Sequence, residues 1–517
     1  MTKEISILWA DDEIDLLRPH VIFLESKGFR LHTVTNGEDA LQALLKESFD
    51  IVLLDENMPG RSGLDLIYSI KLQFPSLPVV MITKSEEENI MELAIGSKID
   101  DYLIKPVNPN QILHSIKKNL NIRSLVSQKT SSDYQSEFRL LDIQINAARN
   151  WNDWVEVYRK LVYWELQLDV ANREMLNILV TQKNEANTAF CKFIKGTYSS
   201  WFKPEFKEKP MLTPSVFKQR IFPLLEQNQK VLLLVIDNLR YDQWQTIAPN
   251  LPVNCKIEKD EIYCSILPTA TQYARNALFA GLMPLEIANM YPQFWVNDEE
   301  EEPKNSFEED LLKLQINRIG KGVKYFYDKI SGTRQSFRVS DIIGKLNQSN
   351  LGVVVINFVD RLSHARTDEQ IIKELSSDEA AYRSLTLSWF QHSNLFDLIE
   401  AATNEGFHIV ITTDHGTVKV TNPVKVLGDR KTSFNLRYKL GRHLNYNPKE
   451  VFEVKKPSDI HLPGITFTSS YIFALNSDFL VYPNNYNQHV NMYRNTFQHG
   501  GVSFEEMMIP FIVLSSK

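Results

Sequence analysis

Cysteine is scarce in this chain, with three among 517 residues, at Cys191, Cys255 and Cys264. The number is odd, the positions are scattered and no CxxC pair occurs. This argues against a disulfide framework and against a cysteine-based zinc site. Long apolar runs are missing as well; none approaches the roughly 18 residues of a membrane span. Met1-Thr2-Lys3-Glu4-Ile5 has no basic segment leading into an apolar one, so no signal peptide is expected. A cytoplasmic location follows as the expectation. Positive charge is not in excess, since 57 Lys and Arg against 64 Asp and Glu leave a net charge of −7. That balance speaks against broad electrostatic binding to nucleic acid. No helix-turn-helix pattern and no basic recognition helix can be found, so sequence-specific DNA binding is not expected. The length exceeds one ordinary core and implies two or three domains.

What the first 120 residues contain is a regular alternation. Apolar strands Ile5–Ala10, Ile51–Leu54 and Val79–Ile82 end in Asp11-Asp12, Asp55 and Thr83, and Asp101-Tyr102-Leu103-Ile104 ends in Lys105-Pro106. Helical stretches such as 14–26 and 37–46 lie between them. Alternating elements of this length predict a doubly wound, five-stranded parallel sheet, whose strand ends converge on one edge. There Asp11, Asp12 and Asp55 suit a hard, oxygen-liganded Mg²⁺, completed by the backbone carbonyl of Asn57. Asp55 is the expected nucleophile of phosphoryl transfer. Lys105 offsets the incoming charge, Thr83 is placed to bond the phosphoryl oxygens, and Tyr102 to report that bond. A lone strand-end aspartate would read as a helix cap; the full set resembles the receiver domain of two-component response regulators. Trp9, where such domains carry a smaller aliphatic residue, is a mild departure that leaves the chemistry intact.

From Ser136 to Ser199 proline is absent and Gly196 is the only glycine. Trp151, Trp154, Val155, Tyr158, Leu161, Val162, Trp164 and Leu166 recur at helical spacing. They predict a central bundle of about three helices with the tryptophans in its core, entered through a polar linker over 121–135.

The C-terminal region opens a second α/β fold. Val231–Ile236 runs into Asp237, Val353–Val359 into Asp360 with His364 four positions on, and Ile409–Thr413 into Asp414-His415. Continuous apolar strands imply a parallel sheet buried on both faces. A late His499-Gly500-Gly501 adds one more ligand-type side chain. Mixed Asp and His ligands suit Zn²⁺ or Mn²⁺ better than Ca²⁺. Thr271 stands at a turn into a helix ending at Gly281. There a metal would lower its hydroxyl pKa and the helix N-terminus would receive phosphate oxygens. Arg275, one helical turn on, is a candidate phosphate contact. Asp298–Glu302 reads as a solvated acidic loop. The basic stretch from Asp429-Arg430-Lys431 through Arg437, Lys439 and Arg442, with Phe434 and Tyr438 interleaved, reads equally as an oligonucleotide groove or as solvated faces.

Asp237, Pro268-Thr269-x-Thr271, Asp360-x-x-x-His364, Asp414-His415-Gly416 and His499-Gly500-Gly501-x-Ser503-x-Glu505-Glu506 resemble the alkaline phosphatase superfamily, in its PglZ branch. The resemblance implies two zinc ions per chain. One would be held by Asp237, Thr271, Asp414 and His415, the other by Asp360, His364 and His499. Cys264-Ser265-Ile266-Leu267-Pro268 lacks the nucleophile pattern of sulfatases. A receiver at 1–122, a helical segment at 123–204 and a PglZ-like domain at 205–517 together resemble the PorX-type response regulators of type IX protein secretion. That resemblance implies a cognate sensor histidine kinase, contacts to a sigma factor or secretion machinery, and zinc-dependent hydrolysis of cyclic and linear oligonucleotides. Phosphoryl transfer to Asp55, by changing the receiver face that carries Lys105-Pro106, is expected to drive dimerisation. Two other functions fit the same residues: a regulator acting by protein contact around a vestigial metal site, and a metal-dependent phosphomonoesterase or phosphomutase.

Overall fold

Five runs rich in Val, Ile and Leu build the N-terminal sheet of the computed structural model. They are β1 (Ile5–Ala10), β2 (Phe29–Val34), β3 (Ile51–Asp55), β4 (Val79–Thr83) and β5 (Asp101–Ile104). All pair in parallel, in the order β2-β1-β3-β4-β5. Alternate residues serve opposite faces. Leu8, Val52, Leu54 and Met81 pack with the helices Gly37–Lys46 and Gly63–Gln73. Ile7, Trp9, Leu53 and Ile82 pack with Arg18–Ser26 and with Ile112 and Ile116. Trp9 is fully buried there. The expected doubly wound, five-stranded receiver architecture is present.

The structure describes residues 5–59, 63–74, 77–83, 99–168, 173–227, 229–297, 300, 304–319, 322–330, 338–368, 378–428, 433, 435–466 and 468–517; for 64–65, 121–132, 173–174 and 364–368 only the backbone is described. Two compact units divide the chain, Met1–Gln135 and Ser136–Lys517. The stretch read as a polar linker is helical instead, part of one helix spanning Pro109–Ala147. Residues 121–135 contain neither Gly nor Pro, so polarity alone gave no reason for the helix to stop.

In the second unit the helices Trp151–Gln167 and Arg173–Thr197 follow. The first starts at a capping box in which the Asn150 side chain accepts from the Asp153 amide and Asp153 answers it. Trp151, Trp154 and Trp164 are buried, as the helical spacing predicts. The main sheet contains β6 (Val231–Ile236), β7 (Cys255–Cys264), β8 (Tyr325–Ile330), β9 (Leu351–Ile356), β10 (His408–Thr412) and a final strand, Met508–Ser516. Strands β10, β6, β9 and β8 are parallel neighbours in that order. The final strand runs antiparallel between β10 and β7. The three aspartate-ending runs therefore lie side by side, with one correction. Strand β9 stops at Ile356, and Asp360 sits in the first turn of the helix Phe358–Asp368. A short apolar run cannot distinguish a buried strand from the start of a buried helix.

Candidate metal centres

Parallel strands deliver their C-terminal residues to one edge, and in the second unit that edge gathers the acids. Asp237 follows β6 directly, its N–H donating to Ile356 O at 2.9 Å. Asp414 and His415 follow β10 and are fully buried. Ligand atoms of Asp237, Asp414 and His415 all lie within 4.8 Å of one another. His415 Nε2 is 3.5 Å from Asp414 Oδ2 and 4.0 Å from Asp237 Oδ1. Thr271, the first residue of the helix Thr271–Ala280, places its Oγ1 3.0 Å from the same Nε2. All four residues expected around one metal thus meet.

Several observations bear on whether a divalent cation fits here. His415 Nδ1 lies 3.2 Å from Gly416 O, and His499 Nδ1 lies 3.2 Å from Thr269 O. A carbonyl only accepts, so Nδ1 is the donor in both rings, which leaves Nε2 as the nitrogen turned to the site. That is the tautomer a metal-binding histidine needs. Asp237 Oδ1 is buried and accepts no hydrogen bond. Burial, then the neighbouring charges of Asp414 and Asp360, push the Asp237 carboxyl well above the usual range, with Arg275 opposing them. A cation would relieve this crowding, so the donor set fits.

The second expected set lies only partly within the described residues. The His499 ring stacks on that of His415 at 4.2 Å between centroids. Asp360 is half-buried, its carbonyl accepting from Ser363 Oγ at 2.6 Å. The backbone of His364 continues the same helix one turn on, but its side chain lies outside the described residues. Among the described residues the compact clusters of metal-ligand type are Asp237/Asp414/His415 and Asp11/Asp12/Asp55.

Arg275 differs from expectation. It is fully buried, with Nε donating to Asp414 Oδ2 at 3.1 Å and its guanidinium paired with Asp237 and, at 3.4 Å, with Glu308. It faces carboxylates, not an open phosphate position. Glu308 in turn accepts from Tyr327 Oη at 2.5 Å and Lys329 Nζ at 3.0 Å. Glu308 escaped the sequence reading. The signal was there: Glu308, Leu311, Leu312 and Gln315 share one buried helical face, and an acid on such a face needs a partner.

The loops are set by close approach. A Cβ at Gly416 would lie 1.9 Å from Glu505 O, and one at Gly501 2.6 Å from Ala474 O. Gly500 has φ +125°. Thr269 ties this loop down, its Oγ1 donating to Gly501 O at 2.9 Å and accepting from Gly500 N–H at 3.0 Å. The basic stretch does not line a groove where it is described. Arg437 is buried, its Nε 3.1 Å and Nη2 2.5 Å from Glu506 oxygens. Lys439 is buried too, donating to Ser433 O at 3.1 Å. Residues 429–432 and Phe434, and most of Asp298–Glu302, lie outside the described residues.

In the first unit, Asp11, Asp12 and Asp55 cluster at the ends of β1 and β3. Lys105 Nζ bridges Asp11 Oδ2 at 2.9 Å and Asp55 Oδ1 at 3.0 Å. Burial first, then Asp11 and Asp12, raise the Asp55 carboxyl to about 6 against the pull of Lys105. Three carboxylates around one lysine suit Mg²⁺. Asn57 is exposed, Tyr102 half-buried, and the buried Thr83 hydroxyl donates to the Glu56 carboxylate.

Comparison with known proteins matches three families in chain order. The response regulator receiver domain matches residues 7–117, the PorX response regulator linker domain 124–202, and the BREX system PglZ alkaline phosphatase-like domain 216–514. The transcriptional regulatory protein ResD of Bacillus subtilis is 30% identical over 159 residues, covering 30% of this chain and 66% of that protein. SrrA of Staphylococcus aureus is 29% identical over 173 residues, 32% of this chain and 70% of that protein. The chain thus spans about two thirds of the length of these relatives. Among solved structures, a CheY-like receiver domain protein from Methanospirillum hungatei is 25% identical, covering 23% of this chain and 96% of that one with a TM-score of 0.23. A receiver domain protein from Clostridium thermocellum is 28% identical, covering 23% and 98% with a TM-score of 0.23. No described helix is long and apolar enough to cross a membrane.

Proposed function

Because the chain belongs to the PorX-type response regulators, with a receiver and a PglZ alkaline phosphatase-like output domain, we propose that it is a phosphorylation-controlled, zinc-dependent phosphodiesterase. The observation that carries this reading is the Thr271 hydroxyl, 3.0 Å from His415 Nε2 beside Asp237 and Asp414.

We assign one zinc to Asp237, Thr271, Asp414 and His415 and the other to Asp360, His364 and His499. When bound, such ions supply Lewis acidity and lower the pKa of a coordinated hydroxyl. Thr271 is the nucleophile toward phosphorus: its Oγ1–P bond forms as the P–O bond to one ester alcohol breaks, and water then cleaves the threonine ester to release the phosphate monoester. The amides of Thr271 and Gln272, at the N-terminus of its helix, receive the phosphoryl oxygens. Arg275 and Glu308 hold Asp237 and Asp414 in place. In the receiver, Asp55 takes a phosphoryl group from a sensor histidine kinase, Mg²⁺ being held by Asp11, Asp12, Asp55 and the Asn57 carbonyl. Thr83 and Tyr102 then rearrange. The substrates are cyclic or linear oligonucleotides, and the setting is cytoplasmic control of type IX protein secretion through a sigma factor or secretion components. Functionally the chain divides at about 122 and 204.

Bound metal and diesterase turnover measured on wild type, Thr271→Val and Asp414→Ala test the reading. Zinc in the wild type, with turnover falling at least ~100-fold in both variants, is expected. Zinc without turnover on any mono- or diester, with a phosphoryl mimic present, would favour the protein-contact regulator. Turnover of monoesters alone would favour a phosphomonoesterase or phosphomutase.

A further inference from the structure

We infer that the helices Trp151–Gln167 and Arg173–Thr197 position His499, and through it the metal centre, by gripping the segment 499–506. This rests on the functional reading above and names the part of the chain that regulates that site.

The grip has three parts. Phe504 is fully buried and is clasped by aromatic rings of both helices: Phe190 stacks on it at 4.5 Å, Tyr158 at 5.2 Å, and Trp154 lies at 5.9 Å. The Phe504 N–H donates to Asn187 Oδ1 at 3.1 Å, and Cys191 Sγ donates to Val502 O at 3.2 Å. Glu505 pairs with Lys183 Nζ at 3.0 Å, and the same ammonium pairs with Glu165 at 2.8 Å. Both glutamates and Lys183 are largely withdrawn from solvent, so none can change partner without desolvation cost.

The gripped segment is short, with one assigned ligand at its start and the neighbour of another against its far end. His499 begins it, five residues before Phe504, and stacks on His415 at 4.2 Å. At its far end the Glu505 carbonyl lies against Gly416, leaving no room for a side chain there, and Gly416 N–H donates to Glu506 O at 3.4 Å. Gly416 is the residue after His415. A shift of the helices by a fraction of an ångström at Phe504 would therefore reach His499 directly and His415 through Gly416. Close-packed interiors transmit such shifts. A plain core would need the rings alone. The Asn187 and Lys183 contacts add direction, because they fix the backbone and the register of the segment.

The test compares full-length wild type with Asn187→Leu, Lys183→Met and Lys183→Arg. Two quantities are read: zinc affinity by competition with a chromophoric chelator, and hydrogen exchange at the amides of 499–501 and 416. In Asn187→Leu and Lys183→Met the zinc assigned to His499 should weaken by roughly 10–100-fold, the range for loss of a group supporting a ligand, and the other, reached only through Gly416, by clearly less. Exchange at 499–501 should quicken, and Lys183→Arg should restore both. Unchanged zinc affinities and unchanged exchange would overturn the inference. So would equal weakening of both ions with a lowered Tm, which marks a general loss of structure. A wild type that holds no zinc would defeat the metal reading instead; exchange at 499–501 then decides the inference alone, faster supporting it and unchanged overturning it.

Discussion

Asp55 and Arg275 show how much a single buried charge can decide. Asp55 is raised to about 6 from 3.8, so in the metal-free protein the folded state binds its proton more tightly than the unfolded state does. Stability from this group is present below the unfolded pKa and falls as pH rises through the window from about 4 to 6. Asp55→Asn should therefore stabilise the chelator-treated receiver at pH 7, by up to about 3 kcal/mol from the two-unit shift, and should abolish stabilisation by Mg²⁺. Urea unfolding at pH 4 and pH 7, with and without Mg²⁺, measures both. Arg275 is the opposite case, a cation shared among Asp237, Asp414 and Glu308. Removing one member of a buried ion group costs roughly 3–5 kcal/mol. Arg275→Met should thus lower the unfolding free energy of the metal-free protein by that order. Zinc should recover part of the loss by neutralising two of the abandoned carboxylates, which a denaturant titration with and without zinc would reveal.

At the scale of elements, the strand Tyr438–Arg442 carries a residue whose environment no motif foretold. Lys439 sits over the Tyr482 ring at 4.5 Å, and burial lowers its pKa to about 7. A lysine depressed in the folded state makes the unfolded state the better proton binder between about pH 7 and 10.5. Stability should then rise with pH across that window. Lys439→Met should flatten that slope and stabilise the protein below pH 7, in thermal unfolding followed from pH 6 to pH 10. Other elements were legible from pattern alone. Helix 37–46 and the strands ending in Asp237 and Asp414 follow from periodicity and apolar runs. The helical course of 121–135 and the helical placement of Asp360 were not, since polar composition does not stop a helix and apolarity does not specify a strand.

For the whole molecule, one chain joins a receiver domain to a cluster of metal-ligand type, and the proposed function requires that the two be coupled. Adding a phosphoryl mimic with Mg²⁺ should shift the chain toward a dimer and change diesterase turnover by about 5–150-fold, the range typical of allosteric coupling. Analytical ultracentrifugation and turnover on the same sample would check both; no change in either would dismiss the coupling. The sequence by itself determined the receiver fold, the places of Asp237 and Asp414 just beyond buried strands, and the family, because those depend on residue type and local spacing. Only the tertiary structure decided that Arg275 and Arg437 are spent on buried carboxylates, that Glu308 and Lys183 belong near the site, and that the central helices grip the segment bearing His499. Those facts depend on which side chains meet across long stretches of chain, as Lys183 meets Glu505, and burial, which makes such meetings energetically decisive, is a property of the packed molecule and not of the local sequence.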